Sequence, residues 1–396
     1  MIGAGRLPLA YSVRNAGARR TRTLLTVAVL ALVVLAVTLM LSLVSGIRHT
    51  IVQTGSPDNF IVIRKGATND GSSMVPIDAY RDIRYLPGIL TDPSSGEPLA
   101  SPEMVIQPFF YKEDGGRENV LVRGVRPIAF AVHDNVHVVE GHPPRPSSGE
   151  AVVGRAVAAR YPGTRLGSEL AFGRRRWKVV GILEAGGSAF ESEVWVDVND
   201  LWNDANRSIY SGIRIKADRG PQREELVRRI ESDGRWALEA KPEMDYYREQ
   251  SESANFVYGL TLALAAIMGL GATFGAANTM FAAVQSRTAE IGTLRALGFS
   301  RRAILVSFLT ESVAIALSGF VAGSLLGVAA TAAFTWWMHG IAFNLATFTT
   351  AVVTLRITLA NLLSVLLLAV TLGVAGAILP ARRAASLSPA EALRRA

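Results

Sequence analysis

Cysteine is absent from this 396-residue chain, which excludes a disulfide framework, a thiolate metal site and thiol catalysis. Charge is nearly absent from long stretches at both ends. Nothing from Ser253 to Ser286 is formally charged, and from Ala303 to Leu355 the only charge is Glu311. The chain has no G-x-x-x-x-G-K-S/T phosphate loop, no H-E-x-x-H and no G-x-S-x-G. The usual nucleoside triphosphate, zinc-protease and serine-hydrolase sites are therefore excluded. GLGATFG, Gly269 to Gly275, has the wrong spacing for a dinucleotide turn. It lies in an apolar run, where Gly271 and Gly275 are expected to let helices approach closely.

What is present divides the chain in three. Four apolar runs are long enough to cross a membrane: 23–47, 253–285, 303–338 and 357–380, the last ending at Pro380. The second, taken as one helix, is about 50 Å long against about 30 Å of hydrocarbon, so it is expected to project as a stalk. Trp336 and Trp337 fall where an interfacial aromatic belt belongs, and Arg356 marks the outer boundary of the fourth run. The flanking segments 1–22, 286–302 and 381–396 carry thirteen Arg against two acids, Glu290 and Glu391. With four spans these three segments share one face, which the positive-inside rule makes cytoplasmic. The formal net charge of +8 is thus a topology signal, and no nucleic-acid partner is implied. The first run exceeds a signal-peptide core and lacks a convincing A-x-A site, so it reads as a retained helix. Residues 7–20 read either as an amphipathic helix on the inner surface or as a merely basic flank.

Residues 48–252 look like an ordinary charged domain, with 27 Lys and Arg against 30 Asp and Glu. About 200 residues can bury a core without staples. Strands are expected at 60–63, 104–111, 119–125, 177–183, 194–196 and 212–216, with a hairpin turn at KEDGGRE. Helices are expected at 154–161, 221–232 and 243–253, and the proline run 143–146 separates two lobes. His133, His137 and His142, with Asp134 and Glu140, are spaced by four and five, which fits no single metal-binding face. The fold class is therefore membrane α-helical, with four transmembrane helices, both termini inside, and a large mixed α/β extracytoplasmic domain between helices 1 and 2. Residues 339–356 form an outer loop.

The charged knot SRTAEIGTLRALGFSRR, Ser286 to Arg302, joins the second and third spans. Strong helix formers, capping-type residues at Ser286 and Thr288 and a stop at Gly298 make it a short helix on the inner surface. Three segments carry a family resemblance. AEIGTLRALGFSRRAILVSFLTES, Ala289 to Ser312, resembles the hallmark of the FtsX/MacB-like permeases of ABC transporters. GEAVVGRAVAARYPGTRLGSEL followed by WKVVGILEAGGSAFESEVWVDVNDLW is similar to the MacB-like periplasmic pattern, and LPARRAASLSPAEALR to the family's ending.

The resemblance implies a permease subunit of the mechanotransmission class (type VII), not an enzyme, in the bacterial inner membrane. It implies ATP and Mg in a separate ATP-binding subunit, with no cofactor in this chain. A second permease chain, identical or not, completes the unit, and a periplasmic adaptor and outer-membrane channel are further partners. The expected activity is export or extraction of a lipid, lipoprotein, peptide or drug. The alternative is an FtsX-like signalling subunit that activates a cell-wall hydrolase. The 286–298 helix would then couple to the ATPase. Ile291, Leu294 and Leu297 would pack into its groove, Glu290 and Arg295 would make charge-assisted contacts at the edge, and Gly298 would end the helix. Glu311, a carboxylate near the inner interface, either pairs with an Arg of this region or snorkels to the surface.

Overall fold

The computed structural model describes residues 20–112, 115–250, 252–338, 341–344 and 350–388. The readings of residues 7–19 and of the tail from 389 lie outside these. The chain divides into a helical unit (through Ser45, Phe256–Trp336, and from Leu355) and a sheet unit (Gly46–Asn255 with Trp337–Thr354).

The sheet unit begins in the last turns of α1 (Arg20–Val52), and among the described residues its main domain has twelve strands. These are β1 (Asn59–Arg64), β2 (Ala100–Ile106), β3 (Phe109–Tyr111), β4 (Arg117–Asn119), β5 (Leu121–Val125), β6 (His137–Gly141), β7 (Glu150–Gly154), β8 (Glu169–Phe172), β9 (Arg175–Glu184), β10 (Glu193–Asp197), β11 (Gly212–Lys216) and β12 (Leu238–Pro242). The main sheet runs β12-β1-β11-β2-β5-β10-β7-β9-β6, with β8 on β9, and only β5·β10 and β7·β9 are parallel. The expected strand 104–111 is interrupted: β2 ends at Ile106, and β3 resumes after Pro108, which has no backbone N–H for a ladder. β3 pairs with β4 as the expected hairpin, Phe109 opposite Asn119. The proline run 143–146 does not separate lobes, because the strands on either side of it, β6 and β7, both pair with β9. Expected helix 154–161 shrinks to Arg155–Ala158, since Gly154 belongs to β7. A Cβ there would lie 2.1 Å from the Glu191 carbonyl oxygen.

The core lies where alternate residues of these strands meet helices. Val62, Met104, Val122, Val194, Ile213 and Ile215 pack with Leu201 and Leu226, and Trp177 stacks on Phe172 at 5.0 Å. Trp177 is fully buried, so this one ring pair removes a large apolar area from water. A ribbon of β13 (Ile341–Asn344) and β14 (Thr350–Val353) joins the same unit, with Val352 N–H donating to Ser192 Oγ at 2.9 Å.

Among the described residues the helical unit has four helices long and apolar enough to cross a membrane. They are most of α1 and three further helices, Glu252–Ser286, Arg301–Met338 and Leu359–Ser386. The fourth does not stop at Pro380. It runs on to Ser386 with the proline inside it. Close packing is made by glycines other than those expected. A Cβ on Gly319 would lie 2.7 Å from Leu30 Cβ, and one on Gly323 only 2.5 Å from the Ala31 carbonyl oxygen. Gly327 continues the i, i+4 row against Thr38, while Gly373 meets Ala316 and Gly376 meets Ala276. A Cβ on Gly271 or Gly275 would meet nothing within 4 Å among the described residues, so the close contacts within this chain lie at other glycines.

Candidate functional site

Between the second and third long helices the chain forms a short helix, Thr288–Ala296. Its start is not capped as expected. Ser286 Oγ donates to the Ala283 carbonyl and Thr288 Oγ1 to that of Gln285, so both hydroxyls finish the preceding helix instead. Its stop follows the glycine: Gly298 has φ +93°, and the Phe299 N–H reaches the Leu294 carbonyl at 3.1 Å. That left-handed conformation is open to glycine at little steric expense. Ser300 Oγ then accepts from Ala303 N–H at 3.1 Å, opening the third long helix.

The face of this small helix that turns inward is apolar. Ile291, only 3% exposed, packs with Met280, Val284, Ile304, Phe308 and Ala381, contributed by three different long helices. Leu294 is partly buried against the same cluster. Ile291 therefore anchors the helix to its own chain and is not available to fill a partner's groove. Arg295 Nη1 donates to the Phe299 carbonyl at 2.9 Å, so the side chain folds back over its own loop. The outward face carries Glu290, Thr293 and Leu297, the last 72% exposed. Their spacing of three and four places them on one side of a helix.

A second anchor holds the same segment. Arg287 donates to Glu311 through Nη1 at 2.8 Å and Nη2 at 3.3 Å, and both side chains are largely buried. The two-pronged contact fits a planar guanidinium and fixes orientation as well as distance. Of the two readings open for Glu311, pairing is the one observed. Beside the pair Thr26 Oγ1 donates to Thr279 Oγ1 at 2.9 Å, and Ser312 Oγ donates to the Gly373 carbonyl at 2.6 Å. A small cavity lined by Thr23, Thr26, Arg287, Glu311 and Ser312 opens there. Arg287 had no individual role from the sequence. Its partner lies 24 residues away, and only the meeting of two helices brings them together.

Residues 23–233 match the MacB-like periplasmic core domain, and residues 262–389 match the FtsX-like permease C-terminal domain. The macrolide export ATP-binding/permease protein MacB of Chlorobium luteolum is 28% identical over 268 residues, covering 62% of this chain and 37% of that protein. The pyoverdine export ATP-binding/permease protein PvdT of Pseudomonas entomophila is 29% identical, covering 61% and 37%. The uncharacterised ABC transporter permease YvrN of Bacillus subtilis is 31% identical, covering 37% of this chain and 33% of its own. The chain thus spans little more than a third of the length of these curated relatives. The periplasmic region of MacB from Actinobacillus actinomycetemcomitans covers 52% of this chain and 97% of its own at 13% identity and a TM-score of 0.38, a likeness too loose to bear on the assignment. With the periplasmic-core match spanning more than half of its residues and the permease match following in order, this chain belongs to the FtsX/MacB-like permeases of ABC transporters.

Proposed function

We propose that the chain is the membrane subunit through which ATP hydrolysis on an ATP-binding partner moves an extracytoplasmic domain, driving export or extraction of an amphipathic cargo such as a lipid, lipoprotein, peptide or drug. Thr288–Ala296 receives the partner, ATP and Mg reside in that partner, and two permease chains complete the unit. The observation that carries this reading is the double anchoring of a short helix that keeps one face outward. Ile291 ties it to three long helices, and Arg287 ties its start to Glu311 on the third. A push on the outward face at Glu290, Thr293 and Leu297 therefore reaches the long helices without being absorbed in a slack loop. The excess of arginine in 1–22, 286–302 and 381–396 supports placing that face inside, in a bacterial inner membrane, with the sheet unit outside. Two relatives carry export in their names, which favours transport over signalling.

The test uses the full chain purified with its ATP-binding partner. Leu297→Asp and Glu290→Lys should abolish complex formation and the permease-dependent rise in ATP hydrolysis, while Arg295→Ala should leave both nearly intact. Survival of both properties in the first two variants would sink the assignment. Orientation is checked with a single cysteine at Tyr111, in a chain that has no other. An impermeant maleimide should label it only from outside the cell membrane.

A further inference from the structure

The centre of the sheet carries charge where a core would ordinarily be apolar. Glu103 on β2, Arg123 on β5, Glu193 on β10 and Arg214 on β11 lie on four adjacent strands, and each is at most 5% exposed. Arg123 grips Glu193 through Nε at 2.7 Å and Nη2 at 2.6 Å, and its Nη1 reaches Glu103 at 2.8 Å. Arg214 bonds Glu103 through Nη1, and Asp70 accepts from both guanidiniums at 3.2 and 3.3 Å. His133 Nε2 lies 2.7 Å from the other Glu103 oxygen, and Trp195 Nε1 donates to Glu193 at 2.9 Å. Burial alone would raise the pKa of Asp70 and of Glu103. The guanidiniums, with His133 beside Glu103, outweigh it and hold both below the ordinary range, so these two carboxylates of the buried rib stay ionised.

The end of this rib distinguishes it from a core oddity. Arg214 Nε donates to Glu243 at 3.0 Å, and the second Glu243 oxygen accepts the backbone N–H of Ser56 at 3.0 Å. Glu243 opens the helix Glu243–Gln250, which leads by one residue into Glu252–Ser286, and Ser56 follows the end of α1. The same short helix sends Tyr247 Oη to Arg214 at 3.1 Å and Tyr246 Oη to the Asp70 N–H at 2.9 Å. Gly55 passes so close that a Cβ would lie 3.0 Å from the Tyr247 ring and 3.1 Å from the Glu243 carbonyl oxygen. Arg48 on α1 also reaches Asn255 at 2.9 Å. The first entry of the chain into the sheet unit, after α1, and its exit toward Glu252–Ser286 are thus tied to each other and, through Glu243, to four adjacent strands of the sheet.

We propose that this buried ion network is a clamp that makes the sheet rigid with the two chain crossings, so that a displacement of either helix end is delivered to the whole sheet. A buried ion pair is weak evidence for stability, because an apolar replacement commonly does as well. Its directional, multiply bonded geometry instead specifies one arrangement of the segments it joins. What drives the helices rests on the function proposed above; the rigidity does not.

The experiment places nitroxide labels on the cysteine-free full chain at Tyr85→Cys and at Gln53→Cys beside the α1 crossing, both exposed, and reads their distance distribution in lipid nanodiscs without any partner. The unaltered network should give one narrow distance. Glu243→Gln should widen it about twofold, whereas Arg229→Ala, which removes an exposed pair with Glu225, should leave it unchanged. Should Glu243→Gln fail to fold, Tyr246→Phe with Tyr247→Phe carries the test. That variant keeps every charge and both rings, cuts only the tyrosine bonds, and should still widen the distribution. A wild-type width in folded variants of both kinds overturns the clamp. Adding the ATP-binding partner and ATP is a separate reading. A rise of ATP hydrolysis above that of the partner alone tests the proposed function, and the partner-free width decides the clamp whichever way that rise comes out.

Discussion

The helical unit and the sheet unit hold together by different physics. In the helical unit glycines bring backbones together: Gly319, Gly323 and Gly327 present a bare stripe to Leu30, Ala31, Val34 and Thr38. Lipid tails are as apolar as leucine, so helices gain little by hiding leucines and much by close contact. Many leucines there are accordingly exposed, such as Leu270 and Leu325. The sheet unit does the reverse. It buries aromatic and β-branched side chains such as Trp177, Phe172 and Val194 away from water, where area removed is the main driving force. It can also bury charge, because strands at fixed spacing set opposite charges side by side. Emptying a buried aromatic contact should therefore cost most in the sheet unit, whereas the helical unit should be most sensitive where glycines let helices touch.

The largest effect is expected from Trp177→Ala, which empties the stacked pair with Phe172 and should lower the stability of the sheet unit by about 3–5 kcal/mol. Tryptophan fluorescence during urea unfolding of the full chain measures it, and a loss below about 1 kcal/mol would mean that aromatic packing does not dominate there. In the helical unit the counterpart is Gly323→Val, expected to remove about 3 kcal/mol or more because its Cβ would meet Ala31 and Val34. Gly271→Val is its control. With nothing within 4 Å among the described residues, it should leave thermal unfolding in detergent nearly unchanged. Equal effects of the two glycine variants would break the comparison.

Acid should separate the units as well. Burial opposes the ionised forms of Asp70, Glu103 and Glu118, but cationic partners and, at Glu118, the Tyr161 hydroxyl lower all three, Glu118 to about 2. Unfolded carboxyls titrate near pH 4, so this stabilisation is complete above that value and is lost as pH falls through the folded values. The melting temperature of the sheet unit should drop between about pH 4 and 2, and Glu118→Gln should flatten part of that slope. An unchanged slope would show that the Arg160 and Tyr161 contacts contribute nothing. The smallest effect is the Arg287–Glu311 coupling. A double-mutant cycle to Ala should give about 1 kcal/mol, within the range for polar contacts between membrane helices.

Much of this organisation was legible in the sequence. Length with at most one charge marks the four long helices, because a charged side chain is expensive in hydrocarbon at any rotation of the helix. Strand Gly212–Lys216 and the stop at Gly298 were equally plain, one from alternation and β-branching, the other from a glycine at a helix end. Direction was the part that failed. Ile291 and Leu297 are both apolar residues of one small helix, and nothing in their order says which turns inward. Gly271 and Gly275 look as well suited to packing as Gly319, Gly323 and Gly327. What separates them is whether another helix arrives at that face.

Composition and order by themselves thus determined that four apolar stretches cross a membrane around a charged α/β domain, since solvent choice depends on residue type and run length. Only the tertiary structure decided which polar residues are buried. Nothing in the sequence marked Glu103, Arg123, Glu193 or Arg214, and Glu311 read as a lone charge in an apolar run. Each becomes tolerable inside because a partner distant in sequence meets it within hydrogen-bond reach, and such partners are set by the meeting of strands and helices, not by neighbours along the chain.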